Sequence, residues 1–362
     1  MNPTMKTRRD FIQGATLSAA SFGLLPRLFA AETGLAHDGE IASFFVVGDT
    51  HYCADEAQPD RMLPHSQAIN RRLIGWLNNL PGTDLPGPPG GGKLPVPQGV
   101  IHAGDIVDNA DKGPPKLAMA DVEMRAFTTD WGLNGGDGLL KWPVREVHGN
   151  HDGPRGDTTV VAEIKARNLR RKGLTKVSPN GLHYSWDWHG IHFVALGIVV
   201  GDAPAVTRKR RYAPLGSLPF MIEDLQEQVG DSGRPVVLIH HIDVARYSKV
   251  VPDKDALHQE WDHGDVAAYH EALKPYRVAA AICGHTHSRN IFRWDGTPDT
   301  RPKQSGVPFL NTDNAGHFAG PSQAFLHVEV SKKLLRVREF STKDGWQTGD
   351  WHPHVWDFPL GA

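Results

Sequence analysis

Apolar runs rich in β-branched residues recur along this chain, and each run ends directly at a small cluster of polar side chains. The runs cover residues 43–47, 99–101, 144–147, 236–239 and 278–282. Continuous apolar runs of this length predict strands that are buried on both faces of a sheet. Since ligands bind outside the carboxyl ends of the strands in open α/β sheets, the polar clusters lie where a functional site would form.

Helix-forming patterns separate these runs. Apolar residues recur with helical spacing from Ile69 to Leu80, and the pattern stops at Pro81. Weaker patterns predict helices over residues 116–131, 158–172, 218–229 and 264–274. Two further pairs of runs predict β-hairpins, 183–188 with 191–196 and 324–330 with 334–340. This order of elements predicts two sheets packed face to face with helices outside, a four-layer α/β/β/α sandwich.

Three segments lack a clear periodicity. Residues 81–97 are rich in Pro and Gly and predict an irregular surface loop. Residues 200–217 and 243–263 follow strands that carry polar clusters, so they form either a rim that reads the substrate or solvated connections. No internal repeat or linker divides the later chain. We therefore expect one domain over residues 32–362, with the C-terminal β-hairpin as an extension.

The composition is that of a globular protein, with 40% hydrophobic and 22% charged residues among 362. A formal net charge of −2 provides no broad basic field for nucleic acid or an anionic membrane. The basic run 208–211 is compatible with a solvated patch or with a contact to an anionic substrate. Cys53 and Cys283 are too few for a disulfide framework or a cysteine zinc site. We expect both thiols to be buried and reduced, and a bond between them stays an alternative.

The first residues have the pattern of a targeting segment. The stretch Thr7-Arg8-Arg9-Asp10-Phe11-Ile12 resembles a twin-arginine export signal, and a weakly apolar stretch follows to Leu25. That stretch is shorter than the roughly 20 apolar residues of a membrane span. We expect residues 1–31 to be a signal peptide that engages the twin-arginine export machinery, with a periplasmic or secreted product. An ordinary basic tail is the alternative. No later segment predicts a transmembrane anchor in the mature chain.

The polar clusters at the ends of the apolar runs have a shared chemistry. They read Gly48-Asp49-Thr50-His51, Gly104-Asp105-Ile106-Val107-Asp108, Gly149-Asn150-His151-Asp152, His240-His241 and Gly284-His285-Thr286-His287. Mixed Asp, Asn and His ligands suit borderline divalent metals better than a soft thiolate site does. So many ligands in five places predict a site for two metals.

The ordered set of motifs resembles the calcineurin-like metallophosphoesterase superfamily, from Asp49 to His287. The resemblance implies that one metal is held by Asp49, His51 and His287. It implies that the other is held by Asn150, His240 and His285. Asp105 would bridge the two metals, because its carboxylate has an oxygen for each. Such a metal pair clamps a phosphate and supplies a bridging hydroxide that attacks phosphorus directly.

The third motif adds an expected catalytic pair. The resemblance implies that His151 protonates the leaving alkoxide or stabilises its charge, and that Asp152 orients the imidazole. Asp108 is expected to hydrogen-bond a ligand. Purple acid phosphatases carry a Tyr where Asp108 stands and lack a His at position 51. The chain is therefore more similar to the branch of bacterial cyclic-nucleotide and glycerophosphodiester phosphodiesterases.

These expectations describe an exported hydrolase with two metal ions, for which Fe, Mn, Zn and Co all suit the ligands. The first hypothesis is a phosphodiesterase that acts on small or lipid-derived phosphodiesters. The second is a phosphomonoesterase that releases inorganic phosphate. The third is a metal-stabilised binding module without turnover. His151 disfavours that module, because a binding module needs no acid for a leaving group.

Overall fold

The computed structural model describes residues 41–87, 91–244, 252, 259–297 and 303–361. The predicted signal peptide, residues 1–31, lies outside the described residues, as does most of the predicted rim segment 243–263. Among the helices in these ranges, none has both the length and the apolar character needed to cross a membrane.

Strands make up most of the regular structure in the described ranges. In chain order they are β1 (Ala42–Val47), β2 (Ala54–Asp55), β3 (Gln58–Met62), β4 (Asp84–Leu85), β5 (Gly92–Lys93), β6 (Val100–His102), β7 (Val144–Glu146), β8 (Lys176–Val177), β9 (Tyr184–Trp188), β10 (Ile191–Ala195), β11 (Val236–Ile239), β12 (Val278–Cys283), β13 (Asn290–Trp294), β14 (Val307–Asn311), β15 (Gln323–Val330), β16 (Leu334–Thr342), β17 (Asp350–Trp351) and β18 (Trp356–Pro359). All five apolar runs and both predicted hairpins are confirmed as strands.

The helices also follow the predicted pattern. They are α1 (Pro64–Asn79), α2 (Ala120–Trp131), α3 (Thr159–Arg170), α4 (Ser217–Gln228) and α5 (His263–Leu273), and a 3₁₀ turn at Lys116–Met119 precedes α2. Pro64 stands in the first turn of α1, where its missing N–H breaks no helical hydrogen bond. Thr158 caps α3 by accepting from the N–H of Val161, and Asp262 caps α5 by accepting from Gly264.

The strands form two seven-stranded sheets. The first has the order β17-β16-β15-β1-β6-β7, with β18 also paired to β16. The second has the order β13-β14-β12-β11-β10-β9-β8. Strands β1, β6 and β7 run parallel, as do β10, β11, β12 and β14. The C-terminal β15–β16 hairpin pairs with β1, so it is an integral part of the first sheet.

Alternating side chains of the buried strands divide the core into three layers. Phe45 and its neighbours pack against α1, α2 and α3 on the outer face of the first sheet. Phe44 and Phe193 pack between the two sheets. Leu238 packs with α4 and α5 on the outer face of the second sheet. The layer order is helices, sheet, sheet, helices, which confirms the predicted α/β/β/α sandwich. Cys53 and Cys283 are buried free thiols, as expected.

Candidate metal centre

The carboxyl ends of the parallel strands bring the polar motifs together at one edge of the sandwich. Potential ligand atoms lie within 4.8 Å of one another in several groups of Asp and His side chains. The predicted ligands within these groups are Asp49, His51, Asp105, His285 and His287. Asn150 joins them, because its Oδ1 lies 3.2 Å from the His241 ring. The strand ends therefore assemble six of the seven predicted ligands.

Two buried carboxylates form the centre of the cluster. Asp49 accepts hydrogen bonds of 3.0 Å from the backbone N–H of His285 and lies 3.4 Å from His287 Nε2. Asp105 accepts from the backbone N–H of His151 at 2.8 Å, and its Oδ2 lies 3.1 Å from His241 Nε2 and 3.8 Å from His51 Nε2. Asp105 thus stands between His51 of one predicted half-site and His285 of the other, with His241 beside it, as a bridging ligand must.

The fourth motif corrects one expected ligand. His240, predicted to bind a metal, is buried on the helix side of the second sheet, with its Nδ1 2.9 Å from the Ile242 carbonyl and its ring against Trp261 and Tyr269. The next residue, His241, contacts Asp105 and Asn150 instead. Successive side chains of an extended strand point to opposite faces, so only one of the two histidines can reach the site. The geometry therefore replaces His240 by His241 in the proposed ligand set.

Backbone conformation at the cluster is unusual. Five of the gathered residues have positive φ: Asp49, His51, Asp105, His285 and His287, with values from 40° to 74°. A side chain with a Cβ adopts this left-handed region at a cost of about 1 kcal/mol each. Such outliers persist where surrounding structure imposes them, and they concentrate at functional sites. The left-handed turns aim each ligand inward from the end of its strand.

Two glycines are required by the close approach of the carboxylates. A Cβ on Gly149 would lie 2.2 Å from Asp105 Oδ1, and a Cβ on Gly284 would lie 2.6 Å from Asp49 Oδ2. No side chain fits at either distance without displacing a carboxylate. These glycines therefore make room for the two carboxylates.

The donor set fits two borderline divalent metals. The Nε2 atoms of His51 and His287 lie 3.1 Å apart, so both imidazole nitrogens border one small volume. Carboxylates and an amide oxygen lie beside them, and imidazole with oxygen donors suits Fe, Mn, Zn or Co. Burial lowers the pKa of His241, but the neighbouring Asp105 carboxylate outweighs burial and raises it to about 9.

His151 lies at the rim of the cluster. Its Nδ1 is 3.2 Å from the Asp108 carbonyl and 3.3 Å from Asp111 Oδ1, and 28% of its side chain is exposed. Burial lowers the pKa of His151, but the hydrogen bond to Asp111 and the charges of Asp105 and Asp111 raise it to about 10. The imidazole therefore lies where it can donate a proton to an oxygen at the edge of the cluster.

The expected role of Asp152 is wrong. Its carboxylate is fully buried and accepts from the backbone N–H groups of Ile106, Val107 and Gly149, at 2.7 to 3.2 Å. These contacts hold the second and third motifs together. Asp111 and the Asp108 carbonyl orient the His151 ring instead. Asp108 makes the contact expected of it with a predicted ligand, since its Oδ1 lies 3.1 Å from His51 Nδ1.

Four residues near the cluster were not predicted as metal ligands or catalytic residues. Besides His241 these are Asp111, Glu260, whose carboxylate lies 3.2 Å from His285 Nε2, and His317, whose ring is 4.6 Å from that of His51. Strand alternation separates His240 from His241, but the sequence does not say which face meets the helices. Asp111, Glu260 and His317 lie on irregular segments, where no periodicity signals a position.

Comparisons with known proteins show the family and the fold of this chain. The family model described as calcineurin-like phosphoesterase matches residues 42–289. The chain resembles a dimetal phosphatase from Danio rerio with a TM-score of 0.51 and 12% identity, over 88% of this chain and 99% of that one. It resembles a purple acid phosphatase from seeds of yellow lupin with a TM-score of 0.53 and 12% identity, over 88% of this chain and 54% of that one. No curated protein matches the sequence.

The family match covers more than half of the chain, so this protein belongs to the calcineurin-like phosphoesterase family. It is a metal-dependent phosphoric ester hydrolase. At 12% identity, the likeness to the two solved structures concerns the fold alone.

Proposed function

We propose that this calcineurin-like phosphoesterase hydrolyses phosphodiesters, and that it does so after export from the cytoplasm. Support for a diester comes from the two acids that flank the cluster. Asp111 lies beside His151, and Glu260 lies beside His285. A phosphodiester carries one negative charge and a phosphomonoester carries up to two near neutral pH, so these carboxylates repel a monoester more strongly.

The metal ligands in this proposal are Asp49, His51, Asp105, Asn150, His241, His285 and His287. Two divalent cations held there supply positive charge for the phosphate and activate water as a nucleophile. Asp105 keeps the two half-sites in register through its contacts to His51 and His241. Burial of Asp49 and Asp105 excludes bulk water, which strengthens the attraction between these carboxylates and a cation.

His151 would supply the proton for the leaving oxygen. Its ring is held by Asp111 and the Asp108 carbonyl, and its partial exposure leaves it accessible to a substrate. Because Asp111 holds Nδ1, the Nε2 atom is the one that can donate to the ester oxygen. The single observation that carries a catalytic function is this imidazole, held by Asp111 and the Asp108 carbonyl beside the ligand cluster.

Turnover of matched esters tests the proposal. Metal-loaded protein is offered bis(para-nitrophenyl) phosphate and para-nitrophenyl phosphate, and we expect faster turnover of the diester. His151→Ala should lower kcat about a hundredfold or more for an alkyl ester, with both metals retained. The loss should be smaller for the nitrophenyl esters, because nitrophenolate leaves without a proton. Preferred turnover of the monoester would instead support a phosphomonoesterase. Two bound metals without any turnover would support a binding module.

Export is supported by the twin-arginine pattern at residues 7–12. Replacing both Arg8 and Arg9 by Lys should retain the protein in the cytoplasm of a bacterial host, whereas the unaltered chain should reach the periplasm. Equal distribution of the two forms between the fractions would contradict the proposal.

A further inference from the structure

A cavity of about 710 Å³ adjoins the rim of the metal centre on the side of His151. Its wall consists of residues 110–115, Leu117, Ala118, Asp121, Pro154 and residues 157–159. Asp111 belongs to this wall and also contacts the His151 ring at 3.3 Å. The cavity therefore begins where the leaving group of a substrate would be protonated.

Much of the cavity wall is apolar. Pro114, Pro115 and Pro154 contribute ring surfaces, and Leu117 lies on the wall with 40% of its surface exposed. Leu117 is one of few large apolar side chains exposed to this degree in the described part of the chain. An apolar ligand in this cavity would remove the exposed surface of Leu117 from water, which makes the free energy of binding more favourable.

The charged groups of the wall are mostly negative. Asp111, Asp121 and Asp157 are acidic, and the ammonium of the one basic wall residue, Lys112, is bound to the Asp108 carboxylate. The N-terminus of α3 adds a partial positive charge. That end is already engaged, because Thr158 caps it and the hydroxyl of Thr159 donates to Asp121. The carboxylates of the wall therefore disfavour a negatively charged ligand.

We propose that this cavity receives the leaving alcohol of the substrate. Its apolar surface favours an alcohol with a large apolar part, and its carboxylates favour a neutral or cationic alcohol over an anionic one. The inference rests on the proposed function, because His151 marks the leaving-group side only if it protonates that group. It goes further by naming the substrate class. Esters with an aryl, acyl-linked or quaternary ammonium alcohol fit the wall, whereas esters with a second phosphate or a carboxylate on the alcohol do not.

Three methyl aryl phosphodiesters test the selection. They carry an unsubstituted phenyl, a para-carboxyphenyl and a para-trimethylammoniophenyl group, and release of each phenol is measured. The proteins are the wild type, Asp157→Lys and the matched control Asp231→Lys. Asp231 is an exposed acid before β11, at the opposite end of that strand from the site. Comparing ratios between variants cancels the intrinsic reactivity of each phenol.

We expect Asp157→Lys to lower the ratio of kcat/KM for the cationic to the anionic ester by about five- to tenfold. Asp231→Lys should leave that ratio within about twofold of the wild type. Leu117→Ser should lower kcat/KM for all three esters by about threefold, without changing the ratio. An unchanged ratio in Asp157→Lys would overturn the inference even when the wild type hydrolyses all three esters.

A binding measurement tests the charge preference of the cavity independently of turnover. If the wild type hydrolyses none of the esters, the proposed function fails, and calorimetry with the free phenols still tests the cavity. The trimethylammonio phenol should bind the wild type more tightly than para-hydroxybenzoate, and Asp157→Lys should abolish the preference. Equal affinity of the two phenols for the wild type would refute the selection for charge.

Discussion

Two buried carboxylates of the first sheet, Glu146 and Asp105, have their negative charge neutralised in different ways. We call Glu146 with its two arginines the arginine cluster, and Asp105 with its two histidines the histidine cluster. Glu146, at the end of β7, lies 2.6 Å from Arg167 Nε and 2.7 Å from Arg171 Nη2. Asp105, after β6, lies instead against His241 and His51. Both carboxylates are buried, and both are held below their usual pKa by positive neighbours that outweigh burial.

The difference between the neighbours separates structure from function. An arginine stays protonated at any pH at which the protein is folded, so Glu146 has a permanent counter-charge. A histidine can give up its proton, so the counter-charge at Asp105 can be exchanged for a metal ion. The arginine cluster therefore stabilises the fold, whereas the histidine cluster stabilises a bound cation.

The largest effect is expected from removing the shared carboxylate. Asp105→Ala should lose both metals and lower turnover about a thousandfold or more, since positive charge at the phosphate and activation of water both depend on them. Mass spectrometry of the native protein measures metals per chain, with Asp231→Ala as the control that retains them. One full equivalent of metal in Asp105→Ala would show that Asp105 does not bridge.

Replacing the glutamate of the arginine cluster should affect the fold and leave the metals in place. The pKa of Glu146 is lowered to about 2 by Arg167 and Arg171, although burial opposes the shift, whereas an unfolded glutamate titrates near 4.5. A lowered pKa contributes stability above about pH 4.5, and this is lost as the pH falls through about 2. Glu146→Gln should therefore cost about 3 kcal/mol of unfolding free energy at pH 7.

Glu163 offers a matched control on α3, the helix that carries Arg167, and it pairs with Arg170 at 2.8 Å on the exposed surface. Glu163→Gln should cost less than about 1 kcal/mol. Urea unfolding measures both variants. The comparison between the clusters would fail if Glu146→Gln were as stable as the wild type, or if it lost metal.

The fold was predictable because its signals are local and repeated. β-branched runs end directly at glycine motifs, and α1 ends before Pro81 as its periodicity indicates. The motifs lie at the carboxyl ends of parallel strands, so six predicted ligands converge. Asp152 was misassigned because its partners, the N–H groups of Ile106 and Val107, belong to the backbone of another motif. No side-chain pattern reveals such a contact.

The two adjacent histidines, His240 and His241, show what the alternation of side chains along a strand can and cannot predict. Val237 and Ile239 face the space between the sheets, and His241 continues that face. Val236 and Leu238 face the helices, and His240 lies on the same face as these two residues. The alternation thus places the two histidines on opposite faces. A strand that is apolar on both faces, however, does not show which face meets the other sheet.

A pair of single substitutions sharpens this point. His241→Ala should weaken binding of one metal about a hundredfold or more, because a ligand that also contacts Asp105 is lost. His240→Ala should leave metal affinity within about threefold of the wild type and instead cost about 2 kcal/mol of stability, since it empties a packed site between Trp261 and Tyr269. Titration with Mn²⁺ and urea unfolding measure the two effects. The reverse pattern would restore His240 as the ligand.

The smallest effect concerns pH and follows from the exchangeable counter-charge. The pKa of His241 is raised to about 9, because Asp105 outweighs the burial that lowers it. Between pH 8 and pH 6 the ring is thus protonated without metal, and binding must displace the proton. Metal affinity should fall by about tenfold for each pH unit lowered, or about 1.4 kcal/mol. Calorimetry in buffers of different ionisation enthalpy counts the released protons. Binding without proton release would show that His241 already has a free lone pair, and the two clusters would then not differ in the way proposed.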